Sequence, residues 1–115
     1  MLSKNRSIET SAPDAPFILL DGEDSAVLGF LKNSEKDSVI LCYDDEISDL
    51  DGHKLISVGS RDDLSDEAHR LFSALRDADR MSPSVIYGHL PKQDGIGLAL
   101  YNRMLRAAAH TVKHI

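Results

Sequence analysis

One cysteine, Cys42, stands in a chain of 115 residues, so no internal disulfide can staple the fold. That scarcity makes a reducing, cytoplasmic setting the expected one. No apolar run approaches the ~20 residues that cross a bilayer. The N-terminus, MLSKNRSIETSAP, also lacks the apolar centre of a signal peptide. No membrane association is expected. An excess of positive charge is missing too: the net charge is −6, which argues against direct binding to a nucleic-acid backbone. The chain has no internal repeat and no low-complexity tract. It has no nucleophile motif of the G-x-S-x-G kind. Its five histidines show no metal-ligand spacing beyond His110/His114, which have no third ligand in range. No catalytic residue, metal site or cofactor is therefore expected.

What is present is patterning. Apolar residues make up 42% of the chain, enough at this length for one core and one domain. Residues 1–15 are polar and aperiodic and are expected to form a flexible leader or linker remnant, closed by Pro13 and Pro16. Phe17–Leu20, residues 38–43, 54–58 and 84–88 are short apolar runs that suit strands buried on both faces. Helical spacing appears over about 24–34, weakened by Gly29, and most clearly after Asp63. There Leu64, Ala68, Leu71, Phe72, Leu75 and Ala78 share one face. A last helix over about 95–110 carries Ile96, Leu100, Met104, Ala107 and Ala108 on one stripe. The order β-α-β-β-α-β-α predicts an α/β fold. It is expected to be a Rossmann-like open, mostly parallel sheet of four or five strands with helices on both faces. The domain is expected to span 16–110, with a tail at 111–115.

Charge is unevenly spread. Residues 21–51 hold ten acids and two bases, whereas residues 96–115 hold Arg103, Arg106, Lys113 and no acid. Any anion site is therefore expected late in the chain. Gly95-Ile96-Gly97 lies between a strand and a helix, as phosphate cradles do. The dinucleotide fingerprint nevertheless fails at Leu100, and the unit is the last of the fold instead of the first. The favoured reading is a helix capped by Asp94, with glycines that allow close approach to the sheet. Gly59-Ser60-Arg61 follows the third strand, where α/β sheets collect ligands. Asp62, Asp63, Asp66 and Glu67 beside it favour a tight turn with a local salt bridge. Residues 44–51 fail the calcium-loop test, because Gly52 at the sixth position would put Ile47 at the first. They are expected to be a solvated acidic loop. Cys42 is expected to be a buried, inert thiol. Asn102 and Arg103 lie off the apolar stripe of the last helix and are open to a structural or a binding role.

The stretch LISVGSRDDLSDEAHRLFSALRDADRMSPSVIYGHLPKQDGIGLALYNRMLRAA resembles the C-terminal domain of threonylcarbamoyl-AMP synthase, the Sua5 family. The resemblance rests on Gly59, Ser60, Asp63, Ala74, Leu75, Arg76 and Asp79 in its first half. Gly95, Gly97, Ala99, Asn102, Arg103, Ala107 and Ala108 carry it in the second. Upstream, SAPDAPFILLDG is similar to the family's Ala-Pro-x-Ala-Pro lead into this domain, so the likeness runs over about 11–109. It implies a Rossmann-like fold and a non-catalytic accessory role. In the family a larger, YrdC-like N-terminal domain joins threonine, bicarbonate and ATP into threonylcarbamoyl-AMP, the donor for tRNA threonylcarbamoyladenosine (t6A). The chain is expected to stand without that catalytic domain, and the family's Pro-Gly-Met and His-Tyr lid motifs are not found.

Two functions are expected from this reading. The first is an accessory domain, not itself an enzyme, that binds a separate YrdC-like catalytic protein or a small ligand in t6A modification. The second is a nucleotide or other anion sensor. The expected binding residues for either are Gly59, Ser60, Arg61, Gly95, Gly97, Asn102 and Arg103.

Overall fold

The chain is described by a computed structural model, which covers residues 13–91 and 95–115. In chain order the elements are β1 (Phe17–Asp21), α1 (Asp24–Lys32), β2 (Val39–Cys42), β3 (Lys54–Ser57), α2 (Leu64–Arg80), β4 (Ile86–His89), α3 (Ile96–Ala107) and β5 (Val112–His114). A single 3-10 turn, Asp44–Glu46, follows β2. The five strands form one all-parallel sheet in the order β3-β2-β4-β1-β5.

Strand composition follows position in that order. The central strands β2 and β4 are buried along their whole length, which is why VILC and the run into IYGH are continuous and not alternating. The edge strands β3 and β5 keep exposed residues. Ile86 of β4 sits in register with Phe17 of β1 on one side and Val39 of β2 on the other.

Alternate residues of the strands feed two cores. Phe17, Leu19, Val39, Leu41 and Ile86 face α2 and α3, where they meet Leu71, Leu75, Leu100 and Met104. Leu20, Ile40, Cys42 and Tyr87 face α1 and meet Val27 and Leu31. Helices thus cover both faces. The link from β2 to its parallel neighbour β3 contains no α-helix. It crosses on the α1 side instead, with Leu50 fully buried as its anchor. Gly88 in β4 has no room for a side chain: a methyl there would come within 3.1 Å of the Phe17 ring on β1 and 3.6 Å of Met104 on α3.

Helix ends obey local chemistry. The Asp63 carboxylate accepts from the Asp66 N–H at 3.0 Å and caps α2. Asp79, near the other end of α2, accepts from the backbone N–H groups of Asp14 (2.9 Å) and Ala15 (3.2 Å). It therefore fastens the chain just before β1 to the helix, although that segment was expected to be loose.

The C-terminus also departs from expectation. Residues 112–114, read as part of a tail, form β5 beside β1, and the Leu19 N–H donates to the Thr111 carbonyl. The chain turns out of α3 through Ala109 (φ 51°) and His110 (φ 62°), both left-handed without being glycine. Asp94, the expected cap of α3, lies outside the described residues. Gly95 is exposed at φ 55° with nothing within 4 Å of a Cβ position, so it serves a backbone turn and not close packing.

The Asp79 contacts yield a prediction. Asp79→Ala leaves two backbone donors without their acceptor and should lower the unfolding free energy by about 1–2 kcal/mol. Proteolysis ahead of Phe17 should become faster at the same time. Urea denaturation and limited digestion of the two proteins check both effects.

Candidate functional site

In this sheet β1 and β4 lie side by side, yet their following helices leave on opposite faces: α1 runs to β2 on one side, and α3 runs to β5 on the other. Such a switch point opens a crevice at the carboxyl ends of the strands. The crevice is present as a cleft of about 850 Å³, within the size range of small-molecule sites. Its walls come from four strand ends. Leu20 and Asp21 end β1, and Gly22 and Asp24 come after it; Tyr43 follows β2, Arg61, Asp62 and Leu64 follow β3, and His89 ends β4 with Leu90 and Pro91 after it.

The ionisable groups at its base are tied together. Glu46, in the 3-10 turn after β2, is buried, with 2% of its surface exposed. Its Oε1 accepts from the Tyr43 backbone N–H at 3.0 Å and from His89 Nε2 at 2.9 Å. Because a carboxylate only accepts, that contact fixes the proton on Nε2. Arg61 Nη2 lies 3.6 Å from the other oxygen of Glu46. The Arg61 guanidinium grips Asp45 in a two-pronged pair at 2.8 and 3.0 Å and reaches Asp24 at 2.8 Å. It also lies over the Tyr43 ring at 4.9 Å, and the His89 ring stacks on Tyr43 at the same distance. Behind them the Tyr43 hydroxyl donates to Glu67 Oε1 at 3.0 Å. Glu67 lies in the first turn of α2 and is 1% exposed.

The two buried glutamates respond to these surroundings in opposite ways. Burial alone would push the Glu46 carboxyl up. The hydrogen bond and charge of His89, with the Tyr43 N–H and Arg61, outweigh it and hold the group below the ordinary value. For Glu67 burial wins over the Tyr43 hydrogen bond and the His89 charge, and the carboxyl is raised to about 7. Burial and the neighbouring Glu67 also push the Tyr43 phenol up. Arg61 holds Asp45 below the ordinary carboxylate range by its hydrogen bond. Burial raises the Cys42 thiol to about 12, which makes it the inert side chain the sequence implies.

Of the residues expected to bind, Arg61 alone lines the cleft. Gly59 and Ser60 lie in the turn that leads to it. Gly59 needs its left-handed φ of +99° and donates its N–H to the Ser57 hydroxyl, and the Ser60 hydroxyl accepts from the Asp62 N–H. Gly97 is buried in the first turn of α3. Asn102 and Arg103 are exposed on α3, and no residue of α3 is among the described residues lining the cleft.

Two local expectations are corrected. Arg61 pairs with Asp24, Asp45 and Glu46 from other strand ends, not with its sequence neighbours 62–67. The acidic loop is not wholly solvated, since Glu46 is among the most buried groups of the site. The sequence reading missed Tyr43, Glu46, Glu67 and His89 altogether. Their only linear signal is position: His89 and Tyr43 are the polar residues that end continuous apolar runs.

A parallel five-stranded α/β domain with a charged cleft at its switch point belongs to the doubly wound class. The family pattern for the C-terminal domain of threonylcarbamoyl-AMP synthase matches residues 11–109. The chain belongs to that family. Among solved structures it is similar to P. abyssi Sua5 complexed with L-threonine, at 23% identity and a TM-score of 0.70. That match covers 90% of this chain and 31% of the other, so the chain spans about a third of that protein's length. It is also similar to the isolated C-terminal Sua5 domain from Pyrococcus horikoshii, at 24% identity and a TM-score of 0.64. There the match covers 90% of this chain and 100% of that domain. These likenesses show a shared fold. No curated protein matches the chain. Among the described residues no helix is long and apolar enough to cross a membrane.

The Glu67 environment predicts a pH dependence. A carboxyl near 7 in the folded chain and 4.5 unfolded adds stability below 4.5 that is lost as pH rises through 7. Glu67→Gln keeps an acceptor for Tyr43 and removes the titration. The variant should gain up to about 3 kcal/mol over the parent at pH ~8 and less than about 1 kcal/mol at pH ~5. Denaturant melts at the two pH values measure the difference.

Proposed function

We propose that this chain is an accessory domain of threonylcarbamoyl-AMP synthesis, contributing binding and not bond-making, and that it works against a YrdC-like catalytic domain in the cytoplasm. The observation that carries this reading is the family match across 11–109, together with full coverage of an independently solved C-terminal domain. The site supports it from a second side. Arg61, Glu46, His89, Tyr43 and Glu67 are committed to one another in a fixed network. Such a network shapes a surface; it does not leave a nucleophile beside a free base.

The anion-sensor reading gains less. Arg61, its intended anion partner, is already surrounded by three carboxylates, and Asp21, Asp24 and Asp62 line the same cleft. A phosphate entering there meets like charge.

The test is reconstitution with the YrdC-like catalytic domain of the same organism, supplied with threonine, bicarbonate and ATP. The chain by itself should form no threonylcarbamoyl-AMP. Added to the catalytic domain, it should bind and change the rate of product formation severalfold. Product from the chain alone, or neither binding nor a change in rate, would overturn the proposal.

A further inference from the structure

One face of the sheet is only partly covered. Parallel sheets are normally buried on both faces. On one face lie α2 and α3, helices of 17 and 12 residues. On the other, among the described residues, α1 is the single helix, and it has nine residues. A helix covers about 10 Å of sheet width, against ~19 Å for five strands spaced ~4.8 Å apart. The link from β2 to β3, anchored by Leu50, adds cover on that face. Beside α1, toward β1 and β5, a groove of about 780 Å³ stays open.

The groove is mostly hydrocarbon. Ile18, on its floor, is the one apolar residue of β1 that is not fully buried. Phe30 and Tyr87 meet edge to face at 5.2 Å, and Ile115 is 42% exposed. Gly29, in the middle of α1, belongs to the wall. A glycine inside a helix weakens it relative to alanine. Nothing lies within 4 Å of a Cβ placed on Gly29, so among the described residues no neighbour requires its bareness. What the bare position does is widen the groove.

The charges of the groove are unequally engaged. Glu35 is the one acid among its described lining residues, and its Oε1 accepts from the Tyr87 hydroxyl at 2.9 Å. Lys113 is the one base. Its ammonium stands 5.7 Å from the centre of the Phe30 ring and has no carboxylate partner among the described residues. Lys113 is in register with Leu20, and Tyr87 with Ile18. The free cation is therefore rooted about 7 Å along β1 from the phenol that occupies Glu35. A guest that fits brings an apolar body and one negative charge. Inorganic phosphate has the charge without the body. An organic cation meets Lys113 and finds Glu35 engaged. The volume is that of a small-molecule site.

We propose that the groove between α1 and β5 binds a small carboxylic acid with an apolar chain, its carboxylate on Lys113 and its chain along Ile18, Phe30 and the bare flank of α1 at Gly29. The groove shares no lining residue with the switch-point cleft, and the proposal does not rest on the accessory reading.

Amide NMR titration of the full chain at low salt tests it with octanoate, its neutral analogue octanol, and octylamine. Octanoate should give saturable shifts at Ala26, Gly29 and Lys113, with octanol severalfold weaker and octylamine weaker still. Lys113→Gln should leave the thermal midpoint nearly unchanged and reduce octanoate binding to the level of octanol. Gly29→Leu should keep or raise the thermal midpoint, because the helix gains a better former in open space, and should abolish the shifts by filling the groove. Shifts that fail to saturate, octanol or octylamine binding as tightly as octanoate, or octanoate binding at full strength in either variant would overturn the proposal.

Discussion

The cleft depends on one buried carboxylate. Glu46 holds the first residue after β2 through its backbone N–H, the end of β4 through His89, and the loop after β3 through Arg61. Three strand ends that converge only in the folded sheet are thereby fixed relative to one another. A buried charge is tolerable only when such partners surround it, because leaving it unpaired costs several kcal/mol. The same requirement keeps His89 and Tyr43 in place, stacked on each other and covered by the Arg61 guanidinium.

The sheet's topology makes this arrangement possible. With order β3-β2-β4-β1-β5, the carboxyl ends of β2, β4 and β1 are adjacent, although Cys42 and His89 are 47 positions apart in the sequence. The helices after β1 and β4 leave on opposite faces, so among the described residues the edge that carries Asp21, Asp24, His89 and Arg61 stays open as a cleft. Structure, burial and charge therefore converge on a shaped, acidic recess of the kind that engages another molecule. The proposed accessory role rests on this recess and on the family match across 11–109.

Much of the fold was legible in the sequence, and the reasons are specific. VILC and IYGH announce central parallel strands because both faces are buried, and the periodicity from Leu64 to Ala78 announces α2 because one face packs on the sheet. The short β5 gave no such signal. It is a three-residue edge strand with one partly buried side chain, and the turn into it uses Ala109 and His110 where a glycine would have marked the break. Gly88 likewise looked ordinary, because the Phe17 ring that requires its bareness belongs to another strand. The site was mostly illegible for one reason. Glu46 is one acid in a run of acids, and what distinguishes it is a histidine 43 residues away. Arg61 could be picked out by its place after β3, but the carboxylates that neutralise it come from the ends of β1 and β2. Several residues that carry the family likeness prove to be structural: Asp63 caps α2, Gly59 makes a left-handed turn, and Asp79 ties down the segment before β1.

The most direct test of Glu46 as the organising group is native-state hydrogen exchange on the parent and on Glu46→Ala. If the carboxylate holds the strand ends together, the Tyr43 amide should lose most of its protection and the amides near Arg61 and His89 should open with it. The amides of α2 around Leu71 to Leu75, packed on the opposite side of the sheet from α1, should keep theirs. Unchanged protection at Tyr43 and His89 in the variant would contradict the account.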